Sequence, residues 1–280
     1  IPFDKTHVSA KTPTNESTDY QKSTDKSWSL ENFNNVQDIY TALHGISQTD
    51  ATIPFRSISD DPVVSGEKVL KVLYEKGSRG GKGSFNIYSK PPIDWGNANT
   101  VLFCYHVFFQ DGFDFVLAGK QFGLFAGDTK NCKNPKSCWS TRLMWRESDT
   151  PGECAFGELY PSVQHDLQDS DYMENPKQFG TGPAGLGDSL GRGNFKFVTG
   201  RWQRVCQETS ISEGYVKVST DDFAFGSVKS NPVINKKIDF GGLKPDGLIL
   251  HSFFGGGSQK YVSSNDVVSY FKNFSVEIIN

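Results

Sequence analysis

Residues 138–146, which read CWSTRLMWR, decide the fold of this chain. The side chains of a β-strand alternate between its two faces. If this stretch is a strand, one face carries four residues that suit a packed core: Trp139, Thr141, Leu143 and Trp145. The opposite face, which we expect to form the floor of a groove, carries Ser140, Arg142, Met144 and Arg146. One packed face and one polar face are typical of a strand in an antiparallel sheet.

The rest of the chain repeats this alternation of short apolar stretches and turns. The stretches with the length and composition of strands are 68–74, 84–89, 100–109, 121–125, 139–146, 155–160, 194–198, 201–209, 214–219, 247–254 and 269–278. Gly-rich turns such as Asp111-Gly112 and Gly255-Gly256-Gly257 separate them. Helical spacing of apolar residues predicts one short helix near residues 36–43. Many short strands with little helix predict an all-β fold of two packed antiparallel sheets.

Length and charge limit the class of protein further. The chain has 280 residues and a net charge of −3, which argues against a nucleic-acid binder held by a broad basic field. The sequence contains no run of about 18 apolar residues, so no membrane segment is expected. Residues 1–27 are polar and lack an apolar period, which predicts a flexible tail or an extended arm. Residues 28–280 then form a single domain.

The first residues and the cysteines indicate an extracellular protein. The chain begins Ile1-Pro2-Phe3-Asp4 without a signal peptide, so we expect a processed, secreted form. Cys132 and Cys138 bracket a polar loop, where a short disulfide would fit an oxidising compartment. Cys104 and Cys206 lie in apolar strand patterns, and we interpret them as buried free thiols.

The predicted groove contains charged side chains that suit an acidic ligand. Arg142 presents a rigid fork that binds a carboxylate through two hydrogen bonds. Lys120 stands at the start of an apolar stretch upstream, and Lys76 and Arg79 lie in a Gly-rich loop. Taken one at a time, these side chains fit solvated surface groups at least as well, since lysine and arginine normally extend to water.

Spacing alone supports neither a metal site nor a glycosidase site. The five His residues show no ligand spacing, so we expect no zinc site and no cofactor. His106 and His251 fall in predicted strands, and we interpret them as structural, with an acid or base role in the groove as the alternative. The sequence cannot place any two of Glu147, Glu153 and Glu158 across a scissile bond.

Several stretches, in one order, resemble polysaccharide lyase family 14, the alginate and glucuronan lyases of molluscs, algal viruses and some fungi. The matching stretches, which together span roughly residues 68–276, are LKVLYEKGSRGG (70–81), CYHVFFQDGFDFVLAGK (104–120), CWSTRLMWR (138–146), SLGRGNFKF (189–197), GRWQ (200–203), HSFFGGG (251–257) and YFKNF (270–274). The resemblance implies a β-jelly roll with a concave substrate cleft and endolytic β-elimination of a polyuronate. It also implies a disulfide between Cys132 and Cys138.

The resemblance also assigns roles to individual residues. Lys120, Ser140 and Arg142 correspond to catalytic residues of the family. Phe156 or Glu158 stands where the family has a tyrosine, unless a shifted alignment lets Tyr160 serve; Tyr160 is therefore our fourth catalytic candidate. The expected substrate-binding residues, which include an arginine at a second family tyrosine position near residue 79, are Arg146, Glu158, Phe156, Arg79 and Lys76.

We therefore predict a secreted polysaccharide lyase that cleaves an acidic, uronate-containing polysaccharide such as alginate or glucuronan. Arg142, helped by Ser140, would neutralise the uronate carboxylate, and Lys120 and Tyr160 would share the base and acid roles. The expected partner is the acidic polysaccharide, with no nucleic acid and no membrane, and we expect a monomer. Two alternatives stay open: a non-catalytic carbohydrate-binding relative on the same scaffold, and a glycosidase of similar fold.

Overall fold

The computed structural model describes residues 25–80, 84–128, 137–173, 187–222, 227–228, 232–256 and 258–279, and it consists mainly of strands. In chain order the strands are β1 (Ser27–Leu30), β2 (Gly45–Gln48), β3 (Arg56–Asp60), β4 (Lys68–Tyr74), β5 (Phe85–Ser89), β6 (Thr100–Phe109), β7 (Ala118–Lys120), β8 (Gly123–Gly127), β9 (Cys138–Arg146), β10 (Cys154–Ser162), β11 (Leu190–Val198), β12 (Trp202–Ser210), β13 (Tyr215–Asp222), β14 (Ser227–Val228), β15 (Ile234–Lys237), β16 (Gly247–Phe254) and β17 (Val267–Ile278). The helices are α1 (Ile39–Ala42), α2 (Ser170–Met173) and short 3-10 turns at Asp50–Phe55, Trp95–Asn97, His165–Leu167 and Gln259–Tyr261. None of these described helices has the length and apolar character that a membrane crossing requires.

The strands form two antiparallel sheets with a common core between them. The front sheet has the strand order β11-β10-β9-β7-β16-β5-β2, and β8 pairs with both β9 and β16. The back sheet has the order β14-β13-β12-β6-β17-β4-β3, with β1 on β17 and β15 on β13. The prediction of an all-β sandwich of jelly-roll type, made of two antiparallel sheets, is confirmed.

Strand β9 has the two faces that its sequence predicts. Trp139, Leu143 and Trp145 belong to the core between the sheets. Thr141, the polar residue of that face, is fully buried and accepts a hydrogen bond from Gln207 of β12, which links the front sheet to the back sheet. Burial of each large apolar side chain stabilises the fold by about 1.5–3 kcal/mol. The packed face therefore fixes which residues of β9 point outward.

The interpretation of Cys104 and Cys206 as free thiols is wrong, because the two form a disulfide. They lie directly opposite each other on the neighbouring strands β6 and β12, with a Cα–Cα distance of 4.1 Å. The apolar patterns identified both strands but not their pairing. Cys154 is buried and free. Cys138 is disulfide-bonded, and Cys132, its predicted partner, lies outside the described residues.

Lys120 ends a short strand instead of beginning a long one. The stretch predicted at 121–125 forms β8 two residues later, and Gln121 and Phe122 separate it from β7. Backbone hydrogen bonds to β9 continue through this break, from Gln121 N to Leu143 O (2.8 Å) and from Leu143 N to Phe122 O (3.2 Å). Strand β9 is therefore paired along its length while its neighbour is interrupted beside Lys120.

Most of the predicted tail, residues 1–24, lies outside the described residues. Residues 25–27 already contact the sandwich. Ile278 N donates to Lys26 O at 2.7 Å, and Ser27 pairs with Glu277 across β1 and β17.

Candidate active site

The front sheet directs a group of mainly polar residues from adjacent strands away from the core, and we call this surface the front face. Opposite residues of β9 and β10 share it, in the pairs Arg142–Tyr160, Met144–Glu158 and Arg146–Phe156. On the other side of β9, Lys120 of β7 lies opposite Met144. Three adjacent strands thus bring together side chains that are far apart in sequence.

Lys120 is buried on the front face, with no carboxylate in ion-pair contact among the residues that the structure describes. Its side chain is 9 % exposed, and its Nζ lies 2.9 Å from Met144 Sδ and 3.1 Å from the centre of the Tyr160 ring. Burial, followed by the charges of Arg142 and Arg146, holds the pKa of Lys120 well below its usual range, against an opposing effect of Glu158. The amine is therefore disposed to be neutral and able to accept a proton.

Tyr160 has the opposite tendency. Burial raises the pKa of its hydroxyl, and the nearby charges of Arg142 and Arg146 offset that effect only in part. The phenol therefore keeps its proton at neutral pH. The front face holds an amine that is easily deprotonated against a phenol that is not, which is a suitable arrangement for a base and an acid.

Arg142 lies directly across from Tyr160 and is partly exposed. Its Nε is buried and has no hydrogen-bond partner among the described residues. Ser140 lies on the same face of β9, two residues before Arg142, and is 8 % exposed. Arg142 and Ser140 therefore lie on the front face with Lys120, and the charge of Arg142 acts on the lysine.

Glu158 is fully buried, at 0 % exposure, and lies in a cluster of cations. Its two oxygens accept hydrogen bonds from Arg146 Nε at 2.6 Å and from Arg192 Nε at 2.7 Å, and also from the Ser189 hydroxyl. Because a buried carboxylate requires such compensation, Glu158 is satisfied by the protein itself. Glu158 holds Arg146 and Arg192 in place, and its assignment to substrate binding stays a prediction.

His251 of β16 also faces this site. Its side chain is 6 % exposed, and its ring packs against Tyr88, with 4.8 Å between ring centres. Its Nε2 is buried and has no hydrogen-bond partner among the described residues. Burial, then the charges of Arg142 and Lys120, holds the pKa of His251 well below its usual value, so the imidazole is neutral.

The other predicted binding residues lie around this centre. Phe156 is partly exposed next to Lys196, whose Nζ is 5.4 Å from the ring centre. Arg79 is partly exposed and reaches the carbonyl of Gly256, with Nη1 and O 3.5 Å apart, and Lys76 is exposed in the same loop. This loop abuts the end of β16, since Gly80 N donates to Phe254 O at 2.7 Å. Lys76 and Arg79 therefore belong to the rim rather than the centre.

The sequence also matches the family model described as polysaccharide lyase 14, over residues 63–274 of the 280. The match covers well over half of the chain. The chain belongs to polysaccharide lyase family 14. It is accordingly a polysaccharide lyase, and the front face, where the charged residues of three strands meet, is its candidate active site. A comparison with curated proteins gives no match.

Solved lyase structures share the fold of this family member. A PL-14 alginate lyase from Aplysia kurodai is 26 % identical, with a TM-score of 0.72 over 91 % of this chain and 100 % of that one. An alginate lyase from Chlorella virus is 23 % identical, with a TM-score of 0.59 over 80 % of this chain and 90 % of that one. A glucuronan lyase from Trichoderma reesei is 11 % identical, with a TM-score of 0.51 over 91 % and 96 %. The last two show a common fold only.

Several residues of the lyase site were not found from the sequence. The alternation of side chains could not predict that Arg192 and Ser189 reach Glu158, because the pairing register of β10 and β11 shifts between Gly157 and Leu159. Tyr261, which packs against the cluster of Ala118, Met144 and Tyr160, follows the matching HSFFGGG stretch but lies outside it. The position of Tyr261 shortly after a glycine-rich turn is the one sequence signal that could have identified it.

Proposed function

We propose that this lyase cleaves a polyuronate such as alginate or glucuronan by β-elimination on the front face, with Lys120, Arg142 and Tyr160 as the central groups. The observation that carries the proposal is the state of Lys120, which is buried beside arginines and a tyrosine ring with no carboxylate in ion-pair contact among the described residues. Burial of a lysine in that environment destabilises the fold. A role as the base that removes a proton from a weakly acidic C–H bond would explain why the protein has a lysine there.

The reaction requires a proton to leave C5 of a uronate and the O4-linked sugar to depart. We assign the proton to the neutral amine of Lys120 and the electron pair of the C–H bond to a new C4–C5 double bond, as the C4–O4 bond breaks. The hydroxyl of Tyr160 then protonates the leaving oxygen. This choice follows the opposite pKa shifts of the two groups, burial lowering the pKa of Lys120 and raising that of Tyr160.

The sugar carboxylate must be neutralised before C5 can lose its proton. Arg142, with Ser140 beside it, provides the positive charge and the donors for this. Arg146, held in place by Glu158, and the aromatic ring of Phe156 lie farther along the same face, and we assign them to neighbouring sugars. Arg79 and Lys76 at the rim would attract the anionic chain.

We also propose that the lyase is secreted. The disulfide between Cys104 and Cys206 supports this, because such bonds persist in oxidising compartments outside the cytosol. The acidic polysaccharides named above are extracellular polymers, so substrate and compartment agree.

The test is a panel of purified polyuronates and neutral polysaccharides. We expect an ultraviolet absorbance rise from unsaturated ends with at least one polyuronate, alginate being the first to try because the 26 % identical relative is an alginate lyase. Arg142→Ala should lose this activity. New reducing ends without the double bond, or binding without any new ends, would contradict the proposal.

A further inference from the structure

His251 occupies the middle of β16, the strand that borders both β7 and β8. Phe253 lies opposite Lys120, and Ile249 lies opposite Gly123. Because side chains alternate, His251 faces the same way as Phe253 and Ile249. It therefore lies beside the break between β7 and β8, between the levels of Lys120 and Gly123.

His251 lies close enough to Arg142 and Lys120 for their charges to act on it. Gly123 of β8 lets this part of the sheet pack closely against β9, since a Cβ there would clash with the backbone of Thr141 and Arg142. The imidazole packs against the Tyr88 ring on the β5 side, and the positive charge of Arg142 acts on it from the β9 side.

Two nitrogen atoms at this place share an unusual property. Both His251 Nε2 and Arg142 Nε are buried and lack a hydrogen-bond partner among the described residues. Buried polar atoms in folded proteins almost always have a partner. Two such atoms on the same front face indicate a ligand with two acceptor positions, and a carboxylate, with two oxygens, is such a ligand.

We propose that His251 and Arg142 together bind the carboxylate of the reacting sugar, with His251 donating a hydrogen bond from Nε2 as a neutral imidazole. This inference rests on the proposed function and adds a residue to its site. Arg142 serves one carboxylate oxygen and His251 the other. As the C5 proton leaves, negative charge grows on both oxygens, so both hydrogen bonds strengthen in the transition state.

The kinetic test compares substitutions that keep or remove the donor. His251→Ala should lower kcat by about 10²- to 10³-fold, the usual loss when one donor to a developing oxyanion is removed. His251→Gln, whose amide nitrogen reaches the position of Nε2, should recover most of it. His251→Asn, whose amide reaches only the position of Nδ1, should not. Equal losses in the Gln and Ala variants, or no loss in the Ala variant, would overturn the inference.

His106 provides a matched control. It lies on β6 of the back sheet, and it too has a buried ring nitrogen, Nδ1, without a hydrogen-bond partner among the described residues. His106→Gln should leave kcat unchanged. Thermal unfolding of all four variants checks that each protein folds.

A binding measurement separates failure of this inference from failure of the lyase proposal. In a Lys120→Met background, calorimetry with an oligouronate and with its methyl ester measures the contribution of the carboxylate. Adding His251→Ala should weaken binding of the acid by about 10- to 100-fold and leave binding of the ester unchanged. Equal binding of the acid with and without His251 overturns the pocket, even if the wild type yields unsaturated ends. Loss of acid binding supports the pocket, even if the wild type yields none.

Discussion

Two lysines are buried to nearly the same degree, one in each sheet, and their surroundings make them opposites. Lys120 of the front sheet is 9 % exposed and Lys272 of the back sheet is 7 % exposed. Lys272 Nζ lies 2.6 Å from Asp61 Oδ2 and 2.8 Å from Glu67 Oε2. Within the described part of the chain, Lys120 Nζ instead contacts the Met144 thioether and the Tyr160 ring.

The pKa values of the two amines are consequently shifted in opposite directions. Burial by itself would lower the pKa of Lys272, but its hydrogen bonds to Asp61 and Glu67 outweigh burial and raise that pKa. For Lys120 burial acts together with the charges of Arg142 and Arg146, and the pKa falls. Burial of a lysine therefore does not make it a base, and the presence or absence of a carboxylate decides the outcome.

The two lysines also differ in the role that their contacts suggest. The cluster of Lys272 with Asp61, which Trp202 also contacts through a 3.0 Å hydrogen bond from its Nε1, joins β17 to the turn after β3. We expect this cluster to be structural, because each of its charges is paired within the protein. Under the proposed function, Lys120 is held at a cost to stability in a deprotonated, reactive state, as is common where activity and stability compete.

The largest effect is expected from Lys120→Met. Loss of a general base should lower the rate of formation of unsaturated ends by about 10²- to 10⁴-fold. Stability should stay the same or rise, because an apolar side chain replaces a buried amine that has no ion pair with any described residue. Product absorbance and urea unfolding measure the two quantities. A variant that retains full activity would refute the role of Lys120, and one that is strongly destabilised would refute the contrast with Lys272.

The same substitution at the other lysine, Lys272→Met, should have the reverse outcome. It leaves the fully buried side chain of Asp61 without its amine, and removal of one partner of a buried pair costs about 3–5 kcal/mol. Activity per folded molecule should be unchanged, since Lys272 lies on the back sheet. Urea unfolding detects the loss, and a stability equal to that of the wild type would show that the ion pair contributes little.

A smaller and more specific effect is expected from placing a carboxylate in direct contact with Lys120. Met144→Glu places an acid where Sδ now lies 2.9 Å from Nζ. The added negative charge raises the pKa of Lys120, so the amine stays protonated up to a higher pH. A base works only when deprotonated, and the acid limb of the pH–rate profile should therefore move to higher pH, with lower activity at neutral pH.

Met144→Gln is the control for that change. It has nearly the same size and polarity without the charge, and its acid limb should remain where the wild type has it. If the Glu and Gln variants have the same profile, the limb does not belong to Lys120. Circular dichroism of both variants confirms that the sheet is intact.

The sequence predicted more of the front sheet than of its contacts. The alternation in 138–146 correctly separated Trp145, which is packed in the core, from Arg142 on the front face. The short strands β2 and β3 were missed, because GISQ and RSISD carry too few apolar residues for a pattern. Alternation describes one strand at a time, so it identifies faces and not the neighbours across the sheet.

Contacts between strands are where sequence reasoning failed. The pairing of Cys104 with Cys206 depends on the register of β6 and β12, residues 102 positions apart. The burial of Glu158 depends on Arg146 and Arg192, which come from two different strands. Neither register nor burial has a local signal, and the resemblance to the family left open whether Phe156 or Glu158 stands at a family tyrosine position.

The disulfide has a consequence for the durability of the molecule. Cys104 and Cys206 are 102 positions apart and enclose β7 to β11, so Lys120, Arg142 and Tyr160 all lie inside one covalent ring. A single cut by a protease anywhere within that ring would leave one connected molecule. The three groups could then remain assembled after damage that would split an uncrosslinked chain into two pieces.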